Sequence, residues 1–266
     1  MKLFLSSLEA VPYLELLENE VPLFLLGSFY YLKKTKPEYQ EKYMKFKDKC
    51  KDFMLDSGAF SLLNSSKNLN EFLNNLDNYI QEYINFINKY NIKNFIELDI
   101  DSLVGYEKVK EIRERIEKAT NKKCIPAWHI SRGLEEWKNL TKEYDYISIG
   151  GIVTKEIKKK DYKKILPALL KIARQNNCKV HGLGFTGSNV KEFDFYSVDS
   201  SSWSWVRRHK KISKFDYKTK KIEYTFLSTT HRVKSNKQTD IELSLLSIKE
   251  WKKFQAYLLG GKQWKH

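Results

Sequence analysis

Two short apolar segments of this sequence each end in an aspartate that is followed at once by serine. Residues 53–56 read FMLD and lead into Ser-Gly, and residues 195–199 read FYSVD and lead into three serines. Paired carboxylates of this kind can do nucleophilic and general acid–base chemistry. Because Asp56 and Asp199 lie about 140 residues apart, they can meet only in a fold that gathers strand ends. We expect them to act together on a glycosidic bond.

Other strand-like segments also end in polar residues or in glycine. In chain order the segment ends are Asp56, Asp99 with Asp101, His129, Gly150 with Gly151, Gly184 and Asp199. Core strands have no structural use for a polar end, whereas the mouth of a parallel α/β barrel is built from strand C-termini. We therefore predict a (β/α)8 TIM-like barrel. A doubly wound open sheet is the alternative fold, since it also places ligands at strand C-termini.

The spacing of apolar residues predicts the elements that carry these ends. Strands are predicted at 2–5, 21–26, 53–56, 94–101, 124–129, 146–152, 179–184 and around Asp199. Helices are predicted at 36–52, 69–90, 106–119, 134–144, 155–176 and 241–259, with Asn68 as a candidate cap of the second. Alternating strands and helices are typical of parallel βαβ units. Neither GxGxxG nor GxxxxGK[ST] is present, which argues against a nucleotide cofactor.

The composition bounds the possible partners. The chain has 266 residues, 48 basic and 33 acidic side chains, and a formal net charge of +15. An excess of this size suggests a polyanion such as nucleic acid, although lysines that only solvate surface helices would give the same count. Three scattered cysteines without a CxxC pair or Cys/His cluster predict neither a disulfide framework nor a structural zinc. No apolar run is long enough for a membrane helix, so a soluble, cytoplasmic protein is expected.

The composition of the sequence changes after Trp205, where basic residues become frequent. We predict a barrel domain at 1–205 and a basic extension at 206–266 that packs on it, with a hairpin at 214–226. The candidate phosphate-binding residues are Arg207, Arg208, Lys210 and Lys211. Basic and aromatic residues together suit a surface that follows a nucleic-acid backbone and stacks bases. A solvated hairpin without ligand explains the composition equally well.

Four motifs in this order resemble the tRNA-guanine transglycosylase superfamily, and most of all its phage-type members, the 7-deazaguanine transglycosylases that act on DNA. The motifs are LDSGAFS at 55–61, GGI at 150–152, HGLG at 181–184 and SVDS at 197–200. The resemblance covers about residues 53–203. It implies that Asp199 is the nucleophile and that Asp56 is the general acid–base.

The chemistry that this resemblance implies follows from the two residues. A carboxylate beneath the anomeric carbon displaces guanine and holds the sugar as an ester. A second carboxyl group protonates the departing base and then deprotonates the incoming 7-deazaguanine derivative. Two displacements at one carbon retain its configuration. No metal or redox cofactor is implied.

The resemblance also implies which residues bind the base. Phe60 would stack on it, or pack in the core, and Asp99 would accept hydrogen bonds from its guanine-like edge. Asp101 would do the same or cap the next helix. His129 stands where the family often presents an amide, so it either reads the base or satisfies a buried site.

The remaining candidates are small residues. Gly150, Gly151 and Gly184 either bring the backbone close to the base or form ordinary turns. Ser57, Ser200 and Ser201 either hydrogen-bond the two carboxylates or cap helices.

One departure from the family concerns the polymer. The bacterial tRNA enzymes carry a zinc-binding Cys/His insertion after the nucleophile, and nothing in this sequence matches it. This favours DNA over tRNA as the substrate. A nucleoside or glycoside hydrolase with the same acid pair, and a non-catalytic nucleic-acid-binding barrel, are the rival hypotheses.

Overall fold

The computed structural model describes residues 1–9, 14, 21–65, 69–186, 190–205, 209, 211–226 and 237–260. Its strands are β1 (Lys2–Leu5), β2 (Phe24–Ser28), β3 (Asp52–Asp56), β4 (Asn94–Phe95), β5 (Ala127–Trp128), β6 (Tyr146–Ile149), β7 (Lys179–Gly182), β8 (Ser197–Ser200), β9 (Lys211–Asp216) and β10 (Lys221–Phe226). Its α-helices are α1 (Phe29–Leu32), α2 (Pro37–Lys47), α3 (Ala59–Ser65), α4 (Leu69–Asn74), α5 (Leu76–Lys89), α6 (Asp101–Val104), α7 (Tyr106–Thr120), α8 (Gly133–Glu143), α9 (Tyr162–Gln175) and α10 (Lys237–Gly260).

Strands β1 to β8 form one parallel sheet in the order β4-β3-β2-β1-β8-β7-β6-β5. Strands β1 and β8, the first and last of the eight in chain order, therefore pair with each other. At the sheet edges, Ile96 and Ile125 form a parallel bridge. The Ile125 N–H donates to the Phe95 carbonyl at 2.8 Å and the Glu97 N–H donates to the Ile125 carbonyl at 3.0 Å. This bridge joins the two edges, and the predicted (β/α)8 TIM-like class is confirmed.

Two sets of apolar side chains hold the barrel together. The smaller buried cluster consists of Phe4, Phe24, Leu26, Met54, Ile96 and Ile125. Residues next to these along the strands, such as Leu3, Leu25 and Leu55, belong to the larger cluster that packs against the helices. Successive strand residues point to opposite faces, so the smaller cluster fills the barrel interior. The barrel is thus closed by packed side chains below its mouth.

The helix predicted at 69–90 is two helices in the structure, α4 and α5. They are separated at Asn75, whose φ of −103° and ψ of 8° lie outside the α-helical region. The predicted apolar stripe continues along α5, where Tyr79 and Tyr83 are buried. Their hydroxyls donate to the carbonyls of Ser57 at 2.6 Å and Ile96 at 2.8 Å. The helix therefore fixes the chain where β3 and β4 end. The candidate cap Asn68 lies outside the described residues.

Several predicted elements are shorter than expected; those predicted at 36–52, 146–152 and 179–184 are observed at Pro37–Lys47, Tyr146–Ile149 and Lys179–Gly182. The strand predicted at 94–101 ends at Phe95 and the strand predicted at 124–129 is only β5. The Glu97 carboxylate accepts the Ala127 N–H at 2.9 Å, so a side chain replaces the backbone partner there. The helix predicted at 155–176 begins at Tyr162, because Lys155 has a φ of +65° and Lys158 is extended, with a ψ of 143°. Among the described helices, none is both long and apolar enough to cross a membrane.

The C-terminal elements pack on the barrel. Strands β9 and β10 form an antiparallel pair, with Lys211 opposite Phe226. Helix α10 contributes Ile248, Trp251 and Leu258 to the larger core cluster. The predicted extension at 206–266 therefore shares the hydrophobic core of the barrel through α10.

Gln255 of α10 joins the helix to the first two strands through hydrogen bonds. Its side chain is fully buried. Its amide nitrogen donates to the carbonyls of Leu3 at 2.8 Å and Phe24 at 3.0 Å. Its amide oxygen accepts the Leu23 N–H at 2.9 Å. One side chain thus satisfies three backbone groups.

We expect Gln255→Leu to lower the free energy of unfolding by about 3 kcal/mol or more, because it leaves three buried backbone groups without partners. Urea unfolding followed by circular dichroism measures this loss. Gln81→Leu on the exposed face of α5 is the matched control and is expected to change stability little. Equal effects of the two substitutions would contradict the assignment.

Candidate active site

A cavity of about 340 Å³ opens at the carboxyl ends of the barrel strands. Its volume lies within the range of small-molecule sites. The predicted site residues in its wall are Asp56, Ser57, Phe60, Asp99, His129, Gly150, Gly151, Gly184 and Asp199. The structure therefore brings together residues that are spread over more than half of the sequence. Ser200 and Ser201 also line the cavity, and so does Glu9.

Asp199, near the end of β8, is held by three neighbours. Its Oδ1 accepts the Gly184 N–H at 2.6 Å and lies 3.3 Å from His181 Nε2. Its Oδ2 accepts the Ser6 hydroxyl at 3.4 Å. Gly184 has a φ of +66°, and a Cβ there would lie 2.3 Å from Val153 Cγ2. The glycine is therefore required for the turn that presents its N–H to Asp199.

His181 contacts Asp199 but was not among the predicted site residues. It is fully buried, and its Nδ1 lies 2.6 Å from the Ser197 hydroxyl. That hydroxyl bonds in turn to the hydroxyl of Tyr146. In the sheet register His181 lies opposite Ser197. The signal in the sequence was a pair of polar residues inside two apolar strands, which a barrel interior accepts only when they are hydrogen-bonded.

Asp56, at the end of β3, lies in a different electrostatic setting. Its Oδ2 accepts the Gly58 N–H at 3.0 Å. Burial raises the pKa of Asp56 to about 6, and the negative charge of Asp199 raises it further. Within the described residues Asp56 makes no ion pair. Its carboxyl group can therefore hold and release a proton near neutral pH.

Glu9 is a third carboxyl group on this side of the cavity, and the sequence analysis gave it no role in the site. It is 2% exposed, and its Oε1 accepts the backbone N–H of Ser28. Its Oε2 is buried without a hydrogen-bond partner among the described residues. Burial raises the pKa of Glu9 to about 7, with a smaller contribution from the charge of Asp56. Glu9 is therefore largely neutral at slightly acidic pH.

Paired charges occupy the part of the cavity wall that follows β4 and β5. Arg132 donates to Asp99 Oδ1 at 2.8 Å and contacts Asp101 Oδ2 at 2.9 Å and Glu97 Oε1 at 3.2 Å. Asp99 Oδ2 lies 2.6 Å from His129 Nε2. The carboxylate of Asp99 thus lies between two cationic side chains in the cavity wall.

His129 bridges two carboxylates. Its Nδ1 lies 3.0 Å from Glu156 Oε2 and its Nε2 faces Asp99. Burial disfavours the charged imidazole, but the hydrogen bonds and charges of Asp99 and Glu156 outweigh it and raise the pKa of His129 to about 9. A Cβ on Gly150 would lie 2.6 Å from the imidazole. Gly150 therefore makes room for His129, and both ring nitrogens are already engaged with carboxylates.

Several predicted residues take other partners or positions. Asp101 begins α6 and is bound by Arg132, and it is not part of the cavity wall. The Ser57 hydroxyl donates to the Glu97 carbonyl at 2.8 Å, and the Ser200 hydroxyl accepts the N–H of Ser202 at 3.1 Å. The carboxylates receive their hydrogen bonds from other groups instead.

The rim of the cavity is apolar. Phe60 is 55% exposed on α3, and Val153 is 56% exposed across the cavity. Gly151 lies in the turn after β6, with a φ of +73°. An exposed ring at the mouth of a polar cavity is suited to stack on a planar ligand.

The predicted phosphate-binding residues fall largely outside the described part of the chain. Arg207, Arg208 and Lys210 lie outside the described residues. Lys211 begins β9, where its Nζ lies 4.6 Å from the centroid of the Phe226 ring. Lys211 is not in the wall of the cavity.

Comparison of the sequence with family models and with curated proteins gives no match. Among solved structures, the chain is similar to the carboxyl transferase domain of Rhizobium etli pyruvate carboxylase, determined with 3-bromopyruvate, at a TM-score of 0.41 and 14% identity. The similarity covers 97% of this chain and 47% of that chain. A likeness this distant carries no argument about function.

The raised pKa of Glu9 predicts a pH-dependent stability. An unfolded glutamate has a pKa of about 4.5, so the folded protein binds more protons between pH 4.5 and about 7. The free energy of unfolding should therefore fall as pH rises through this window, by roughly 3 kcal/mol for Glu9. Glu9→Gln, which resembles the neutral acid, should remove this part of the fall.

Urea unfolding of the wild type and the variant at pH 4.5, 6 and 8 measures the effect. The two should be similarly stable at pH 4.5 and diverge in favour of Glu9→Gln at pH 8. Glu114→Gln on the exposed face of α7 is the control. Parallel curves for the wild type and Glu9→Gln would contradict the assignment.

Proposed function

We propose that this chain is a nucleic-acid guanine transglycosylase, a glycosyltransferase that exchanges guanine in DNA for a 7-deazaguanine derivative. The observation that supports the proposal is that Asp56 and Asp199 line one cavity in different electrostatic settings. Donors from Gly184 and Ser6 orient Asp199, as a nucleophile requires. Burial gives Asp56 a pKa near neutrality, as a general acid–base requires.

In the first half of the proposed reaction, a carboxylate oxygen of Asp199 attacks the anomeric carbon of the target nucleotide. The bond from that carbon to the purine nitrogen breaks, and its electron pair leaves with guanine. Asp56 donates its proton to the departing base, so that neutral guanine is released. The sugar remains attached to Asp199 as an ester.

In the second half, the 7-deazaguanine derivative occupies the place of guanine. Asp56, now a carboxylate, takes the proton from its five-membered-ring nitrogen, and that nitrogen attacks the anomeric carbon. The ester bond to Asp199 breaks and its electrons return to the carboxylate. Both residues end in their initial states, and the configuration of the sugar is retained.

Base recognition falls to the part of the wall that follows β4 and β5. Each oxygen of Asp99 already has one cationic partner, Arg132 or His129. A carboxylate oxygen has about two acceptor positions, so Asp99 can still accept hydrogen bonds from the N–H edge of guanine. The two cationic side chains hold this carboxylate in place, and Phe60 supplies the ring for stacking.

DNA is the proposed polymer, with tRNA as the alternative substrate. The resemblance to phage-type enzymes and the lack of a zinc-binding insertion support DNA. A buried anomeric carbon is out of reach in a stacked duplex, so the target nucleotide must be single-stranded or flipped out. A cavity of about 340 Å³ at the barrel mouth is suited to an extruded nucleotide.

The test of the proposal is mass spectrometry of nucleosides from DNA and from tRNA after incubation with the protein and several 7-deazaguanines. A 7-deazaguanine nucleoside in the DNA digest is the expected result. A hydrolase would release guanine without incorporating a 7-deazaguanine. Modification of tRNA alone would identify tRNA as the substrate.

Loss of the nucleophile should prevent the covalent intermediate. We expect Asp199→Ala to form no denaturation-resistant complex with a guanine-containing oligonucleotide and to exchange base at least about 1,000-fold more slowly. Denaturing gel electrophoresis after trapping measures the complex. Ser6→Ala, which removes one donor to Asp199, should keep the complex at reduced yield. An Asp199→Ala protein with normal exchange would exclude the role.

Loss of the acid–base should slow exchange without preventing binding. We expect Asp56→Asn to bind oligonucleotide like the wild type and to release guanine about 100-fold more slowly or worse. Release by the wild type should fall as pH rises through about 6, where Asp56 loses its proton. Single-turnover release measured from pH 5 to 8 should show this fall in the wild type, and its persistence in Asp56→Asn would assign the proton to another group.

A further inference from the structure

A second cavity lies between the β9–β10 hairpin, helix α10 and the chain that follows β7. Its volume is about 380 Å³. Aromatic side chains, among them Tyr224 and Tyr257, form part of its wall, and Lys191, Lys220 and Lys221 form another part. None of the described residues in its wall is acidic. A cavity that combines aromatic rings with lysines suits an anionic ligand that also has a flat face.

The three lysines are exposed, and none forms an ion pair among the described residues. Lys191 lies over the Tyr257 ring instead of beside a carboxylate. The neighbouring Glu192 pairs with Lys163 at 3.4 Å. The charges of the three lysines are therefore not held in salt bridges within the described part of the chain.

The aromatic rings are held in place by their neighbours. Tyr257 stacks on Phe254 with an interplanar angle of 20°, and the Nζ of Lys191 lies 3.2 Å from the Tyr257 ring centroid. Tyr224 stacks on Trp205 with ring centroids 4.8 Å apart. Fixed rings lose little conformational entropy when a ligand stacks on them.

The second cavity adjoins the candidate active site. Thr186 lines both cavities. A strand whose extruded nucleotide occupies the first cavity therefore passes close to the second. Phosphates repeat along a strand, so a fixed second contact determines which nucleotide reaches the first cavity.

We propose that the second cavity binds a neighbouring nucleotide of the substrate strand, with its phosphate at the lysines and its base or sugar against the aromatic rings. The proposal rests on the proposed function for the choice of a polynucleotide. It assigns to the hairpin and to α10 the task of positioning the strand.

The test is fluorescence anisotropy with a labelled single-stranded 12-mer containing guanine, at several salt concentrations. The triple variant Lys191→Gln, Lys220→Gln, Lys221→Gln should bind more weakly. The slope of log affinity against log salt should fall by about 0.7, since the variant loses one phosphate contact on a single strand. The matched control changes three exposed lysines of the helices α7, α8 and α9, Lys118, Lys142 and Lys171, to glutamine and should bind like the wild type.

A substitution in the rings tests the stacking part. Tyr257→Leu should weaken binding by roughly 10-fold without changing the salt slope, because it removes a ring and no charge. Urea unfolding shows whether this variant is folded. The triple lysine variant changes only exposed side chains, so its result decides the proposal if Tyr257→Leu does not fold.

An unchanged affinity and slope in the triple variant, or an equal loss in the control, would overturn the proposal. Equal loss of binding to poly-glutamate of the same charge would overturn it in favour of an acidic protein partner. The base-exchange assay separates this proposal from the proposed reaction. Weaker oligonucleotide binding by the variant, without exchange by the wild type, supports the second cavity and rejects the reaction. Base exchange by the wild type, together with unaltered oligonucleotide binding by the triple variant, supports the reaction and rejects the second cavity as a binding site.

Discussion

The crowding of carboxyl groups around one cavity is the electrostatic constraint on this structure. Like charges at close range disfavour ionisation unless cations or hydrogen-bond donors compensate. The chain compensates them unevenly: Arg132 and His129 surround Asp99, whereas Asp56 and Glu9 have no ion-pair partner among the described residues. Asp99 therefore lies between two cationic side chains, whereas burial raises the pKa of Asp56 to about 6 and that of Glu9 to about 7. Two electrostatic settings thus occur within a single barrel mouth.

The barrel was predictable because its evidence repeats along the chain. Six of the eight strands read as a short apolar run that ends in a polar residue or glycine, so one local signal occurs six times. The extents of elements were less predictable, because side chains decided them. Glu97 takes the backbone partner of Ala127 and shortens β5, and Asn75 interrupts an apolar stripe that continues on both sides. Such changes in the length of an element depend on contacts between residues that are far apart in sequence.

The site was predictable where a residue type ends a strand, as with Asp56 and Asp199. Glu9 was missed because nothing in its surroundings marks it, and its burial against Ser28 exists only once β1 and β2 pair. His181 was missed because a histidine inside a strand is more often structural than functional. Gly150 was selected for closeness to a ligand, whereas its nearest neighbour is the imidazole of His129. Sequence thus located the mouth of the barrel, and the pairing of its charges required coordinates.

The hydrogen bond from Gln255 to Leu3 joins residues 252 positions apart, and β1 also pairs with β8. Contacts between distant parts of a chain form late, because loop closure must precede them. During synthesis β1 can pair with β2, which follows it closely, but β1 leaves the ribosome long before β8 and α10 exist. The apolar side chains of β1 that these two elements cover stay exposed until then, and such exposed surface favours aggregation of the emerging chain.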